Sequence, residues 1–360
     1  MPAQLTPIER ANAFCESYGI RAPILMAPMA GACPPALAAA VANGGGMGAC
    51  GALLMSPDAI QKWVGAFRAK SNNAFQINLW VPDPEPTRNP AHEAEVRTFL
   101  GQWGPDVPAD AGDAPLQDFD AQCAAILETG PTVISSIMGL YDAARVAQFK
   151  ARGIRWFATV TTVAEALQAE AAGADVIVAQ GAEAGGHRGA FQAEDADRQM
   201  IGLMSLLPTV SDAVSVPVVA TGGIADARGI AAALALGASA VQIGTGFLRT
   251  PEAQTAAAWA NALVETRPED TVPTRAFSGR LGRSIRTEYV DAAASDEAPE
   301  PAPYPVQRAL TQAMRSDAAK ADDLQRMQVW AGQSAALARD DPAADLVSEI
   351  WQGATKLLAR

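Results

Sequence analysis

Eight short apolar runs, each followed by a helix-length segment, fill the first 246 residues of this 360-residue chain. They are Arg21–Met29, Gly44–Gly51, Phe75–Trp80, Thr132–Ile137, Arg155–Val160, Val176–Gln180, Pro217–Ile224 and Ser239–Gly246. Between them, helices are predicted over Leu37–Val41, Asp58–Ala69, Phe119–Glu128, Asp142–Ala151, Val163–Ala172, Leu203–Val214 and Asp226–Leu236. Ser56 with Pro57 reads as an N-cap and first turn, and Gly173 and Gly237 as stops. Short apolar runs alternating with helix-length segments mean repeated βαβ units and a parallel sheet buried on both faces. Eight such units fit a closed (β/α)8 TIM barrel. An open dinucleotide-binding sheet would place GxGxxG after the first strand, where Met29-Ala-Gly-Ala-Cys-Pro34 stands instead.

Two stretches fall outside that period. Residues 82–119 are rich in Pro, Gly and Asp around a predicted helix His92–Gln102, which reads as an excursion at the surface, a lid or rim. Beyond Thr250 a helix over Gln254–Thr266, a loop over Pro268–Gly282 and helices over Val306–Ala319, Asp322–Leu337 and Ala344–Leu358 are expected. The expected organisation is a barrel over 1–249, a cap over its mouth at 250–305, and C-terminal helices at 306–360 packing back on the barrel.

A net charge of -12 argues against nucleic acid or an anionic membrane as partner. A small anion is still admissible where helix dipoles and one or two arginines oppose the global field. The four cysteines, Cys15, Cys33, Cys50 and Cys123, form no CxxC, and two histidines leave little for a metal site, so none is expected. Buried thiols of a reducing compartment are the expectation, with no nucleophilic role for Cys33 or Cys50. The N-terminus carries no basic, then apolar, leader pattern, and the apolar runs are too short to span a bilayer. A cytoplasmic monomer or homodimer follows as the expectation.

Chemistry in a (β/α)8 barrel belongs at the C-terminal ends of its strands. Those ends carry Met26, Ala27 and Pro28, then Asn78, Ser135 and Ser136, Thr161, Gln180 to His187, Thr221 to Gly223, and Gln242 to Thr245. Gly222 and Gly223, with Gly244 and Thr245, put glycine-flanked N–H groups at the phosphate position after the last two barrel strands. A phosphate there, with a flat apolar-walled space above the barrel centre, suits FMN. The amides of Asn78 and Gln180 match a ring edge of alternating donors and acceptors. Gly185 and Gly186 would let the ring lie against backbone. His187, one of two histidines, sits in this glycine-rich loop and can titrate near neutrality. His92 reads as a surface residue, Arg188 as a rim ion pair or a substrate contact, and Glu183 as a partner of the His ring or a turn cap. Ser284 and Tyr304 are candidates to reach the site from the cap.

The segment Gln180-Gly-Ala-Glu-Ala-Gly-Gly-His-Arg-Gly189 resembles the signature of the nitronate monooxygenases, formerly 2-nitropropane dioxygenases. Met26-Ala-Pro-Met29, Phe75-Gln-Ile-Asn78, Ala220-Thr-Gly-Gly-Ile224, Gln242-Ile-Gly-Thr245 and Trp330-Ala-Gly-Gln-Ser334 are similar to further family segments, in order. The resemblance implies FMN contacts from Asn78, Gln180, Gly185, Gly222 and Gln242, Ile243, Gly244 and Thr245, and a catalytic His187. It implies oxidation of alkyl nitronates, and in some members nitroalkanes, by O2 to a carbonyl compound and nitrite, through one-electron transfer and a flavin semiquinone. Propionate 3-nitronate is the substrate it suggests. His187 would then act as a base on a neutral nitroalkane or orient a preformed anion. An NAD(P)H-dependent reductase of quinones or enoyl thioesters is the rival on the same barrel, and a non-catalytic flavin or phosphate-ligand binder the third reading. Related reductase barrels carry a lysine at a strand end beside the flavin; Phe157-Ala-Thr-Val-Thr-Thr162 here has none.

Overall fold

The computed structural model describes residues 5–359. Its strands are β1 (Ile24–Met26), β2 (Gly48–Gly51), β3 (Phe75–Trp80), β4 (Val133–Ile137), β5 (Arg155–Val160), β6 (Val176–Gln180), the two-residue β7 (Gly186–His187), β8 (Val218–Thr221), β9 (Ala240–Ile243), β10 (Thr271–Thr274) and β11 (Gly282–Ile285). Eight of them pair in parallel in the order β1-β9-β8-β6-β5-β4-β3-β2. The ring closes where Met26 N donates to Met47 O at 2.9 Å and Met47 N to Ile24 O at 3.0 Å. The (β/α)8 barrel expected from the alternation of runs is therefore the fold.

Strand geometry sends alternate residues to opposite faces, and this sorts the barrel's contents. Leu25, Val133, Phe157, Val176, Val178, Val219 and Ala240 share the interior cluster. Their neighbours Ile24, Met26, Ile177, Val241 and Ile243 belong to the layer between strands and helices. Polar inward positions come next toward the mouth: Gln76 and Gln242, whose amides meet at 3.0 Å, then Asn78, Gln180 and Thr221. The apolar half of the interior holds the barrel together, and the polar half floors the site.

A helix over Pro7–Tyr18, absent from the sequence reading, closes the other end. Thr6 and Glu9 form its capping box. Phe14 and Cys15 join the interior cluster, and Tyr18 meets Phe157 edge-on with centroids 5.1 Å apart. Only Ala11, Phe14 and Cys15 are buried on this helix, a stripe too thin to stand out in the sequence.

The excursion after β3 carries a helix over Pro90–Leu100, capped by the Asn89 side chain at His92 N. It packs with helices Val306–Leu310 and Gln312–Ala321 around a second core that includes Val96, Leu100, Phe277, Tyr289, Leu310 and Met314. The helix Ala343–Leu358 lies instead along the barrel helices Pro35–Asn43 and Ala227–Ala235. Two expectations fail. Pro268–Gly282 is not simply a loop, because Thr271–Thr274 pairs antiparallel with β11, which also pairs with β7. Asp322–Leu337 is not a helix. Asp322 takes φ 51° and ends the preceding helix, and the chain beyond runs along β11, where Ile285 N donates to Val329 O and Trp330 bridges Ser284. Pairing with a sheet edge outweighs the helix propensity of that segment.

Phe157 is fully buried where the terminal helix meets the barrel interior. Replacing it by Ala should cost about 3–5 kcal/mol, read as a lowered urea midpoint.

Candidate active site

A cavity of about 560 Å³ opens over the C-terminal ends of the barrel strands. At one end lie Gly222 and Gly223, after β8, and Gly244 and Thr245, after β9. Gly222 and Gly223 adopt φ of 111° and 69°, a conformation that favours glycine. Among the described residues, the N–H groups of these four donate to no backbone acceptor. None of the four residues is buried and Gly223 is exposed, so these N–H groups are open to the cavity, and converging open N–H groups suit an anion.

The cavity floor follows the inward positions. Asn78 donates to Ser135 Oγ at 3.1 Å, which leaves its carbonyl oxygen for the cavity. Gln76 Nε2 donates to Gln242 Oε1, fixing that amide with its nitrogen free. Ala27 and Pro28 line the wall at the end of β1. Met26 and Ile243, expected at the cofactor, do not line it, because alternation turns both side chains outward. Gln180 lines the cavity but spends its amide on the loop: Nε2 donates to His187 O at 3.0 Å, and Oε1 accepts from Gly189 N at 2.8 Å. Gly185 and Gly186 also line it, yet Gly185 has another duty. A Cβ there would stand 2.4 Å from Gly332 N, so glycine is needed for the approach of the Trp330 segment.

His187, on β7, lines the same cavity. Its Nε2 is 2.7 Å from Ser278 Oγ, and Nδ1 has no protein partner among the described residues. The ring meets Trp80 and Trp330 edge-on, with centroids at 4.6 and 4.9 Å. Ser278 was invisible in the sequence, a serine in a stretch without periodicity, and only pairing of β7 with β11 brings it here. The other candidates resolve differently. Arg188 is buried and donates to the carbonyls of Gln180, Gln199 and Thr161, so it clamps the loop and forms no rim ion pair. Glu183 accepts from Leu203 N and caps the helix Leu203–Ala213. Ser284 is buried on Val329 O. Tyr304 packs on Trp80 with its hydroxyl buried and unpartnered, and does not line the cavity. His92 stays on the excursion helix, 3.7 Å from Glu95. All four cysteines are buried and unpaired.

The model of the family described as nitronate monooxygenase matches residues 12–353. A nitronate monooxygenase of Paraburkholderia phytofirmans is 40% identical over 346 residues, covering 94% of each chain. A crystal structure of nitroalkane oxidase from Streptomyces ansochromogenes superposes with TM-score 0.87 at 36% identity, covering 96% of this chain and 99% of that one. A structure of FabK from Thermotoga maritima follows at TM-score 0.76 and 28% identity, covering 96% and 97%. The chain belongs to the nitronate monooxygenase family. It is an oxidoreductase of nitronates or nitroalkanes, in a family of flavoenzymes.

Within this nitronate monooxygenase fold the field around His187 is positive although the chain is acidic. Burial, then Arg280, Arg308 and Arg315, push the imidazole down from 6.5 to about 3. Arg280 is paired with Asp83. Arg308 and Arg315 line the cavity and have no carboxylate partner among the described residues. Arg315 is held by Thr311, Gln328, Gln312 and the carbonyl of Arg308, whereas Arg308 makes no side-chain hydrogen bond. Two such cations lining one cavity suit a small anion.

The sign of the pH dependence follows. The unfolded chain binds a proton at His187 below about pH 6.5, while the folded state resists it down to about 3. Stability contributed by the neutral ring is complete above that window and is lost as pH falls through it. His187→Gln should therefore lose less Tm than the parent between pH 7 and 4, measured by calorimetry.

Proposed function

We propose that the protein binds FMN and oxidises alkyl nitronates with O2 to a carbonyl compound and nitrite. The observation that carries this reading is the pair of carboxylate-free arginines, Arg308 and Arg315, beside a neutral His187. The residues fit the cofactor. The free N–H groups at Gly222, Gly223, Gly244 and Thr245 would take its phosphate, and the open amide atoms of Asn78 and Gln242 would meet its polar ring edge. When bound, the flavin supplies the electron acceptor for the nitronate and the site at which O2 is engaged.

The chain's own residues do the rest. Arg308 and Arg315 attract the nitronate, whose charge sits on its two oxygens. An imidazole pushed down to about 3 is a poor general base near pH 7, where an effective one would titrate. His187 therefore acts as a neutral hydrogen-bond donor to a preformed anion, with Ser278 setting its ring. Trp80 and Trp330 keep water from the ring and hold it edge-on.

Three measurements test this. Ethyl nitronate mixed anaerobically with the purified protein should reduce the flavin, read as a change in its visible spectrum, whereas NADH and NADPH should leave it unchanged; the reverse result overturns the reading in favour of a reductase. Arg308→Met should lower kcat/KM for nitronates by about 10- to 100-fold, chiefly through KM, as the loss of one charge-assisted hydrogen bond. His187→Asn should depress nitronates and neutral nitroalkanes by similar factors, since no proton abstraction is lost.

A further inference from the structure

A second chamber of about 360 Å³ lies between the excursion and the helical run 306–321. Arg308, Gln312 and Ser316 wall both this chamber and the His187 cavity. They are spaced four residues apart, so they form one edge of that helical run, and the two spaces share it. Along the edge Gln312 donates to Ser316 Oγ at 2.7 Å and accepts from Arg315 at 3.0 Å. Arg308 is the member held by no hydrogen bond, a flexible side chain standing between the two spaces. The chamber beyond it is apolar, walled by Val107, Pro108, Leu116, Ala309, Leu310 and Ala313. Leu116 is 43% exposed at its rim, a large apolar side chain that the fold leaves uncovered.

Resting on the nitronate reading above, we infer that this chamber receives the alkyl tail of the substrate, so that the enzyme takes medium-chain nitronates. The head of such a molecule is an anion and its tail a hydrocarbon. Arg308 matches that division, since its guanidinium serves the head while its methylene stem adds to the apolar wall. A small, mostly apolar chamber bounded by one charged side chain is shaped for a ligand, and because that side chain also lines the His187 cavity and no hydrogen bond fixes it, the tail of an anion held there is the occupant we assign. A peptide or a second copy of the chain would bury a far larger face than a chamber of this volume presents.

The test is a homologous series on the flavin-loaded enzyme, from the nitronate of nitroethane to that of 1-nitrooctane, with kcat/KM read at each length. Burial of each added methylene should raise it by about fourfold over several carbons. In parallel, calorimetric titration with unreactive alkyl carboxylates from acetate to octanoate should give the same increment in Kd. Ala313→Phe, and independently Ala309→Leu, should flatten both slopes by filling the chamber. A parental series without a length increment overturns the inference. So does a variant that folds and lowers all lengths equally, because the chamber is then only a route to the site. Where no nitronate is turned over at any length, the proposed function fails by itself, and the carboxylate series still decides whether the chamber holds a tail.

Discussion

Two residues of strand, Gly186 and His187, pair antiparallel with Gly282 and Arg283, and through them the barrel and its cap share one small sheet. The pairing fixes the backbone that carries the imidazole and delivers Ser278 from the cap to its Nε2. It also draws in the far end of the chain. β11 bridges Trp330 through Ser284, and Trp330 meets the imidazole edge-on. Remove that sheet and the histidine would hang on a glycine-rich loop with its partners on separate elements. Gln180 and Arg188 brace the same loop from beneath, by hydrogen bonds to its backbone and to the strand ends.

The electrostatics work against the composition. A chain of net charge -12 would repel an anion at long range, yet three arginines stand near His187 and one alone is neutralised. Burial keeps Arg308 and Arg315 poorly solvated, and a low-dielectric surround strengthens their attraction for a substrate anion. The same field and the same burial disfavour the imidazolium. One arrangement therefore has two consequences at once: a positive cavity wall, and an imidazole held toward its neutral form.

Much of the framework was legible in the chain. The barrel strands start and stop within a few residues of the apolar runs, since a strand buried on both faces must be apolar along its length. The glycines after β8 and β9 and His187 were legible for a related reason, as rare or unusually permissive residues at strand ends. The inward or outward sense of a residue depends on where its strand starts, which the apolar runs leave open, and so Met26 and Ile243, expected in the site, turn their side chains to the helices. Asp322–Leu337 read as a helix because local propensity carries no information about an unpaired strand edge elsewhere.

By itself, then, the sequence determined the barrel, the loop that carries the histidine and the glycine turns after β8 and β9, because those depend on local pattern and on glycine's conformational range. What only the tertiary structure decided was the company His187 keeps. Ser278, Trp80, Trp330, Arg308 and Arg315 lie far from it in the chain, on elements whose spacing and composition look ordinary. Their convergence depends on a two-residue strand pairing and on a helix docked against the excursion, and both are long-range contacts that no window of sequence encodes.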